Sequence, residues 1–139
     1  MAATFELEIT TPERGFFKEP VEMVVLPGED GEQGILANHA RMVLVVKAGT
    51  VRIQREGKWD ECVIADGYAM VDKQRVLLLC QRAEWPDEID ERLAREEEQL
   101  EKEKLRQAQS MREYALAKAG LAQAMARLSA VQHRNVNNN

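Results

Sequence analysis

Glu84-Trp85-Pro86-Asp87-Glu88-Ile89-Asp90-Glu91-Arg92 is the stretch at which this 139-residue chain changes grammar. All four prolines (Pro12, Pro20, Pro27, Pro86) lie at or before it, together with every glycine except Gly120. Proline and glycine punctuate short elements, and their absence downstream permits long helices. Upstream the apolar period is two. Phe5, Leu7 and Ile9 alternate with Glu6 and Glu8, and Val21, Met23 and Val25 repeat the pattern up to Pro27-Gly28. Leu44–Val46, Val51–Ile53, Cys62–Ile64, Tyr68–Met70 and Val76–Leu79 follow, separated by Ala48-Gly49, Glu56-Gly57 and Asp66-Gly67. Short strands at this spacing predict an antiparallel sandwich or barrel.

Downstream, Asp87 to Arg106 reads as a helix, with Asp87, Glu88, Asp90 and Glu91 crowding its first turns, where the macrodipole favours anions. Glu88/Arg92, Glu91/Arg95 and Glu98/Lys102 are i,i+4 pairs, and the apolar stripe is thin: Ile89, Leu93, Leu100. A break at Gln107-Ala108-Gln109 precedes Ser110-Met111-Arg112-Glu113, a capping-box pattern. A second helix is expected from Met111 to about Gln132, with Tyr114, Ala117, Leu121, Met125 and Leu128 on one face. The short break argues an antiparallel hairpin. Residues 87–107 carry nine acids and five bases, whereas residues 108–139 carry one acid and four bases, so the helices have opposite charge. The expected organisation is α+β: a sandwich over 1–86, a helical hairpin over 87–134 and a polar, disordered tail over 135–139. From the residues alone, a hairpin that covers the sandwich and one that detaches and extends are equally open.

The composition excludes several functions. A net charge of −5 argues against a general nucleic-acid binder, which needs a basic face. Met1 to Leu7 carries no signal-peptide pattern, and the longest apolar runs are strand-sized, so membrane insertion is not expected. Cys62 and Cys80 sit in apolar strand-like runs and read as reduced core residues. His39 and His133 are far apart in sequence without flanking ligands, so no metal site is implied. Gly28-Glu29-Asp30-Gly31-Glu32 lacks the lysine of a phosphate loop and reads as a hairpin loop. No serine or cysteine lies in a nucleophile motif. No catalytic residue is proposed.

Gly31-Glu32-Gln33-Gly34-Ile35-Leu36-Ala37-Asn38-His39-Ala40 resembles the GELGILPGHA loop of the ATP synthase epsilon-subunit family. Phe5 to Phe17, Val24-Val25-Leu26-Pro27-Gly28, the Ala48-Gly49 to Ile53 strand and Gly67-Tyr68-Ala69-Met70-Val71 match in the same register. The resemblance implies the sandwich form and a non-catalytic central-stalk subunit of a rotary ATP synthase. It would couple proton or sodium flow to ATP synthesis, peripheral on the cytoplasmic face of a bacterial plasma membrane. Its implied partners are the gamma subunit near His39, the c subunits of the rotor ring near Glu32, and the alpha/beta catalytic head. The hairpin would inhibit ATP hydrolysis, with Lys118, Arg127 and Arg134 as cationic contacts to the head. No cofactor is implied. Some relatives bind ATP through I/L-D-x-x-R-A on the first helix and two arginines four apart on the second. Here Ile89, Asp90, Ala94 and Arg127 match, but Leu93 and Gln123 replace arginines and Arg92 is offset by one residue. Asp90, Arg92 and Arg127 are thus weak nucleotide-binding candidates, and ATP is a poorly supported regulatory ligand. Asp90 has a simpler role open to it, at the helix terminus.

Overall fold

Period-two patterning becomes ten strands in the computed structural model, which describes residues 2–137. They are β1 (Phe5–Thr10), β2 (Gly15–Val21), β3 (Met23–Gly28), β4 (Gly31–Leu36), β5 (Met42–Val46), β6 (Gly49–Arg55), β7 (Lys58–Ile64), β8 (Gly67–Val71), β9 (Arg75–Cys80) and β10 (Ala83–Glu84). The sheet order is β10-β7-β6-β3-β5-β8-β9-β1-β2, with β4 added on β3. β1 runs parallel to β9, whereas the β1–β2, β5–β8, β6–β7 and β8–β9 neighbours are antiparallel. β3 is the corner: it pairs with β6 along Met23–Val25 but meets β5 only at Gly28↔Val46. The sheet folds over there, and its two inner faces share one core. This is a β-sandwich, the form that the family resemblance implied among the two, sandwich or barrel, left open by the alternation. The chain divides into two compact units, Met1–Ala83 and Glu84–Asn139.

Leu7, Ile9, Val24, Leu26, Val51, Ile53 and Leu78 are fully buried, and each stands at an inward position of its strand. The strands that the pattern did not predict are β2, β4 and β10. β2 contains Pro20, which an edge strand tolerates because its outer N–H groups have no ladder partner. β4 begins Gly31-Glu32-Gln33-Gly34, poor strand formers that are ordered by pairing with β3. The Gly28–Glu32 loop is therefore tighter than its composition implies. Gly28 pairs with Gly31, leaving Glu29-Asp30 as the turn, and Gly31 has φ +120°, which an L side chain rarely adopts.

In the second unit Pro86–Glu88 forms one 3-10 turn, followed by α1 (Glu91–Gln107) and α2 (Met111–Asn137). The helix start expected at Asp87 lies four residues later. Asp90 is the N-cap, its carboxylate accepting from Arg92 N at 3.0 Å and Leu93 N at 3.3 Å. Glu88 instead serves the 3-10 turn, accepting from Trp85 N at 2.9 Å. The capping box forms with one shift. Ser110 Oγ accepts from Glu113 N at 3.1 Å, while the Glu113 carboxylate accepts from Gln109 N, one residue before the cap. α2 also continues through Asn135 to Asn137, where a polar tail was expected; positions 138–139 lie outside the described residues. Asn135 Nδ2 donates to Glu91 Oε2 at 3.4 Å, giving the end of α2 a partner on α1.

The buried stripe of α2 differs from the apolar one read from sequence. Tyr114 and Met125 are exposed, and the small residues Ala117 and Ala124 are buried with Leu128 and Val131. On α1, Leu93 and Leu100 are exposed and Ala94 is buried. Small side chains let helix axes approach closely, so they occupy the seam and the larger apolar groups are left outside.

Candidate functional site

Glu32 stands at the start of β4, paired with Pro27 beside the Glu29-Asp30 turn. Its Oε2 accepts from Arg52 Nη2 at 2.9 Å, and the Arg52 guanidinium lies 5.6 Å from the Trp59 ring centroid. Arg52 and Trp59 come from the adjacent strands β6 and β7, so the three side chains form a charged and aromatic ridge on the sheet surface. The Glu32 side chain is two-thirds exposed, at 67%, which leaves lone pairs open to a further donor.

His39 follows β4 in a turn where Asn38 has φ 65° and Asn38 N donates to Lys73 O at 3.0 Å. That bond ties the His39 turn to the connection between β8 and β9. His39 Nδ1 lies 2.8 Å from Ala40 O. A carbonyl only accepts, so Nδ1 carries a proton, and Nε2 is the ring's other polar atom.

Beginning beside this turn, one sheet face is apolar on the outside. Val43 pairs with Met70, Val45 with Tyr68, Tyr68 with Leu79 and Met70 with Leu77 across β5, β8 and β9. Val43 is 72% and Tyr68 59% exposed, and Val45, Met70 and Leu79 are exposed as well. Sequence reasoning assigned these residues to strands but not to a site. The signal was present: Met42-Val43-Leu44-Val45-Val46 and Val76-Leu77-Leu78-Leu79-Cys80 do not alternate with polar residues as Phe5 to Ile9 does. Strands that are apolar on both faces bury one of them in the core and here leave the other at the surface.

A separate cleft of about 990 Å³ is lined by Thr4, Glu19, Glu22, Arg55, Lys58 and Asp60, among others. Arg55 ion-pairs within it to Glu19 and Asp60, and Gly57 N donates to Glu22 Oε1 at 2.9 Å. Arg55, Glu19 and Asp60 are thus engaged with one another, and the lining holds no histidine or cysteine. Among the described residues no group of three or more His, Cys, Asp or Glu side chains is placed to hold a metal ion.

The cations of the helical unit are unequal. Lys118 is exposed. Arg134 is half-buried and its Nη1 donates to Pro86 O at 2.5 Å. Arg127 is buried: its Nη1 bonds the Glu97 carboxylate, and its Nη2 donates to Glu84 Oε2 at 3.3 Å. Of the nucleotide candidates, Asp90 is committed to capping α1, Arg92 is exposed, and the Arg127 guanidinium is held by carboxylates.

Comparison with known proteins fits this geometry. Residues 4–86 match the family described as ATP synthase, delta/epsilon chain, beta-sandwich domain. The ATP synthase epsilon chain of Ruminiclostridium cellulolyticum is 44% identical over 132 residues, covering 95% of this chain and 98% of the relative. That of Desulforamulus reducens is 36% identical over 132 residues, covering 95% and 100%. Among solved structures, a chain of the Euglena gracilis mitochondrial ATP synthase OSCP/F1/c-ring complex superposes with a TM-score of 0.79 at 24% identity, covering 94% of this chain and 83% of that one. A chain of the Tetrahymena thermophila mitochondrial ATP synthase central stalk and c-ring gives 0.66 at 12% identity, covering 94% and 98%. With its full-length relatives and its matched sandwich, the chain belongs to the ATP synthase epsilon chain family.

Proposed function

We propose that this epsilon chain is a non-catalytic stalk subunit whose sandwich docks on the gamma subunit and the c-subunit rotor ring, and whose helical unit restrains ATP hydrolysis. The observation that carries the docking half is the apolar face Val43, Val45, Tyr68, Met70 and Leu79. A contiguous exposed apolar face of this kind marks a partner site, and Tyr68 at its middle is the side-chain type that anchors interfaces. His39 borders the same face, on the gamma side. The Glu32 ridge offers an exposed carboxylate to arginine or backbone N–H groups of the rotor loops. Riding on that rotor, the subunit takes part in coupling proton or sodium flow to ATP synthesis, peripheral to the cytoplasmic face of a bacterial plasma membrane. Among the described residues no helix is long and apolar enough to cross a membrane.

The braking half rests on the helical unit. Leu93, Leu100, Leu116 and Met125 are exposed there beside the cation Lys118, so the unit carries unused contact surface of both kinds. An extended hairpin would offer that surface to the catalytic head.

Co-purification with the gamma subunit tests the docking half. Val43→Glu with Tyr68→Glu alters exposed residues only, so the circular dichroism spectrum should stay native. Association should weaken by about two orders of magnitude, the usual size for an interfacial aromatic anchor. Undiminished co-purification would remove this face from the interface.

A further inference from the structure

We infer that Glu84, Glu97 and Arg127 form a nucleotide-independent latch that holds α2 closed on the start of the helical unit, an inference that rests on reading this unit as a movable arm. The seam positions of α2 are Ala117, Gly120, Ala124, Arg127, Val131 and Arg134, spaced alternately by three and four. Ala117, Ala124 and Val131 are buried, and Arg127 is buried among them as the one long charged member of the stripe's interior. Its side chain is only 5% exposed, against 13% for Glu84 and 46% for Glu97. Glu84 stands at the entry of the unit and Glu97 on α1, so one guanidinium ties three separate pieces of chain together. Arg127 Nε lies 3.1 Å from Glu84 Oε1, yet its N–H is not aligned for a hydrogen bond, so that contact is electrostatic. One turn of seam further on, Arg134 Nη1 donates to Pro86 O, next to Glu84.

Such an arrangement is suited to a switch. A charged residue at a seam position specifies one register at a cost in stability relative to an apolar one. Removing one partner of a buried pair, by contrast, leaves a charge uncompensated and is strongly unfavourable. The closed state is thereby unique but not deeply stable, and it is lost as a unit once any competing charge takes the arginine or its carboxylates. Because two carboxylates of the same chain already neutralise Arg127, closure needs no phosphate ligand.

Hydrogen exchange on the full chain, followed peptide by peptide, tests this. Arg127→Gln and Glu84→Gln should each speed exchange over residues 120–135 by at least about ten-fold. Glu97→Gln should do so by less, because Glu97 is half-exposed. Peptides of 5–80 should exchange as in wild type. Combining Glu84→Arg and Glu97→Gln with Arg127→Glu, which leaves no carboxylate opposed to another, should restore much of the protection. MgATP at millimolar concentration should leave wild-type α2 unchanged. Exchange within two-fold of wild type in Arg127→Gln would overturn the latch. So would α2 protection by MgATP, which would show that the guanidinium is available to phosphate. If Arg127→Gln also disturbs the 5–80 peptides, the charge-swapped form decides: recovery supports the latch and its absence overturns it. The readout does not involve ATP hydrolysis. A helical unit that fails to brake the enzyme would leave this result standing, and a failed latch would leave the brake untouched.

Discussion

Cys62 and Cys80 show how a strand position sets the chemistry of a side chain. Both thiols are buried in the sandwich. Burial pushes the Cys62 thiol far up, with the neighbouring Cys80, Asp60 and Glu61 adding to the effect. Burial also pushes Cys80 up to about 11, partly offset by a backbone hydrogen bond from Arg82. The nucleophile is the thiolate, so neither residue should react with iodoacetamide at pH 8 in the folded protein, and both should react in guanidinium. Their folded pKa values lie above the ordinary 9.0. The folded chain therefore holds its thiol protons longer, and the stability they contribute is intact below about pH 9 and declines as pH rises towards 11. Mass spectrometry of alkylated protein checks the first point, and denaturant midpoints between pH 8 and 10.5 check the second. Rapid labelling of either native thiol would show that the core opens locally.

Two glycines that look alike in sequence do different work in their elements. At Gly67 in β8, an added Cβ would lie 2.1 Å from Leu79 O and 2.7 Å from Cys80 Cα, both backbone atoms of the paired strand β9. At Gly120 in α2, the obstacle is the Glu101 carboxyl at 2.6 Å, the far end of a flexible side chain. Gly67→Ala must push two strands apart and should cost on the order of 2–4 kcal/mol, in the range of severe core overpacking. Gly120→Ala lets Glu101 swing away and gains helix propensity, so it should be neutral or stabilising by up to about 1 kcal/mol. Chemical denaturation of the two variants checks the contrast. Equal losses would mean that Glu101 is fixed at the seam and that α1 and α2 require a glycine there.

For the whole molecule, the division at Ala83 and Glu84 separates two kinds of contact surface. The sandwich carries an apolar face and the Glu32 ridge; the helical unit carries exposed leucines and cations. Deleting residues 88–139 should leave assembly and ATP synthesis largely intact and raise ATP hydrolysis by the complete complex. Lys118→Glu changes one exposed charge, worth under about 1 kcal/mol, and should raise hydrolysis by less than about five-fold. Higher ionic strength should weaken the wild-type brake and shrink the difference from Lys118→Glu. Arg127 differs from Lys118, because its guanidinium is buried against Glu84 and Glu97 and is not free at the surface. Steady-state hydrolysis with each form is the measurement, and equal rates for full-length and truncated subunits would leave the helical unit a purely structural role.

Much of this protein is written in one dimension. Alternation in Phe5 to Ile9 determines a strand, because a half-buried sheet needs a period of two, whereas the Val21, Met23, Val25 pattern crosses the junction of β2 and β3, where Val24, Val25 and Leu26 are buried in succession. The loss of proline and glycine after Pro86 determines helices, and Ser110 with Glu113 marks where the second begins. The net charge of −5 argues against a general nucleic-acid binder, and among the described residues no helix is long and apolar enough to cross a membrane. The rest depends on which residues face one another. β4 forms because β3 pairs with it, although its own residues are poor strand formers. The apolar face of Val43, Tyr68 and Leu79 exists only once β5, β8 and β9 lie side by side. The resemblance offers Lys118, Arg127 and Arg134 as three like cations, but the fold exposes Lys118, ties Arg134 to a carbonyl and buries Arg127 between Glu84 and Glu97. Sequence spacing determines what a side chain can be; its partner forty-three positions away, brought within 3.3 Å, decides what it is free to do.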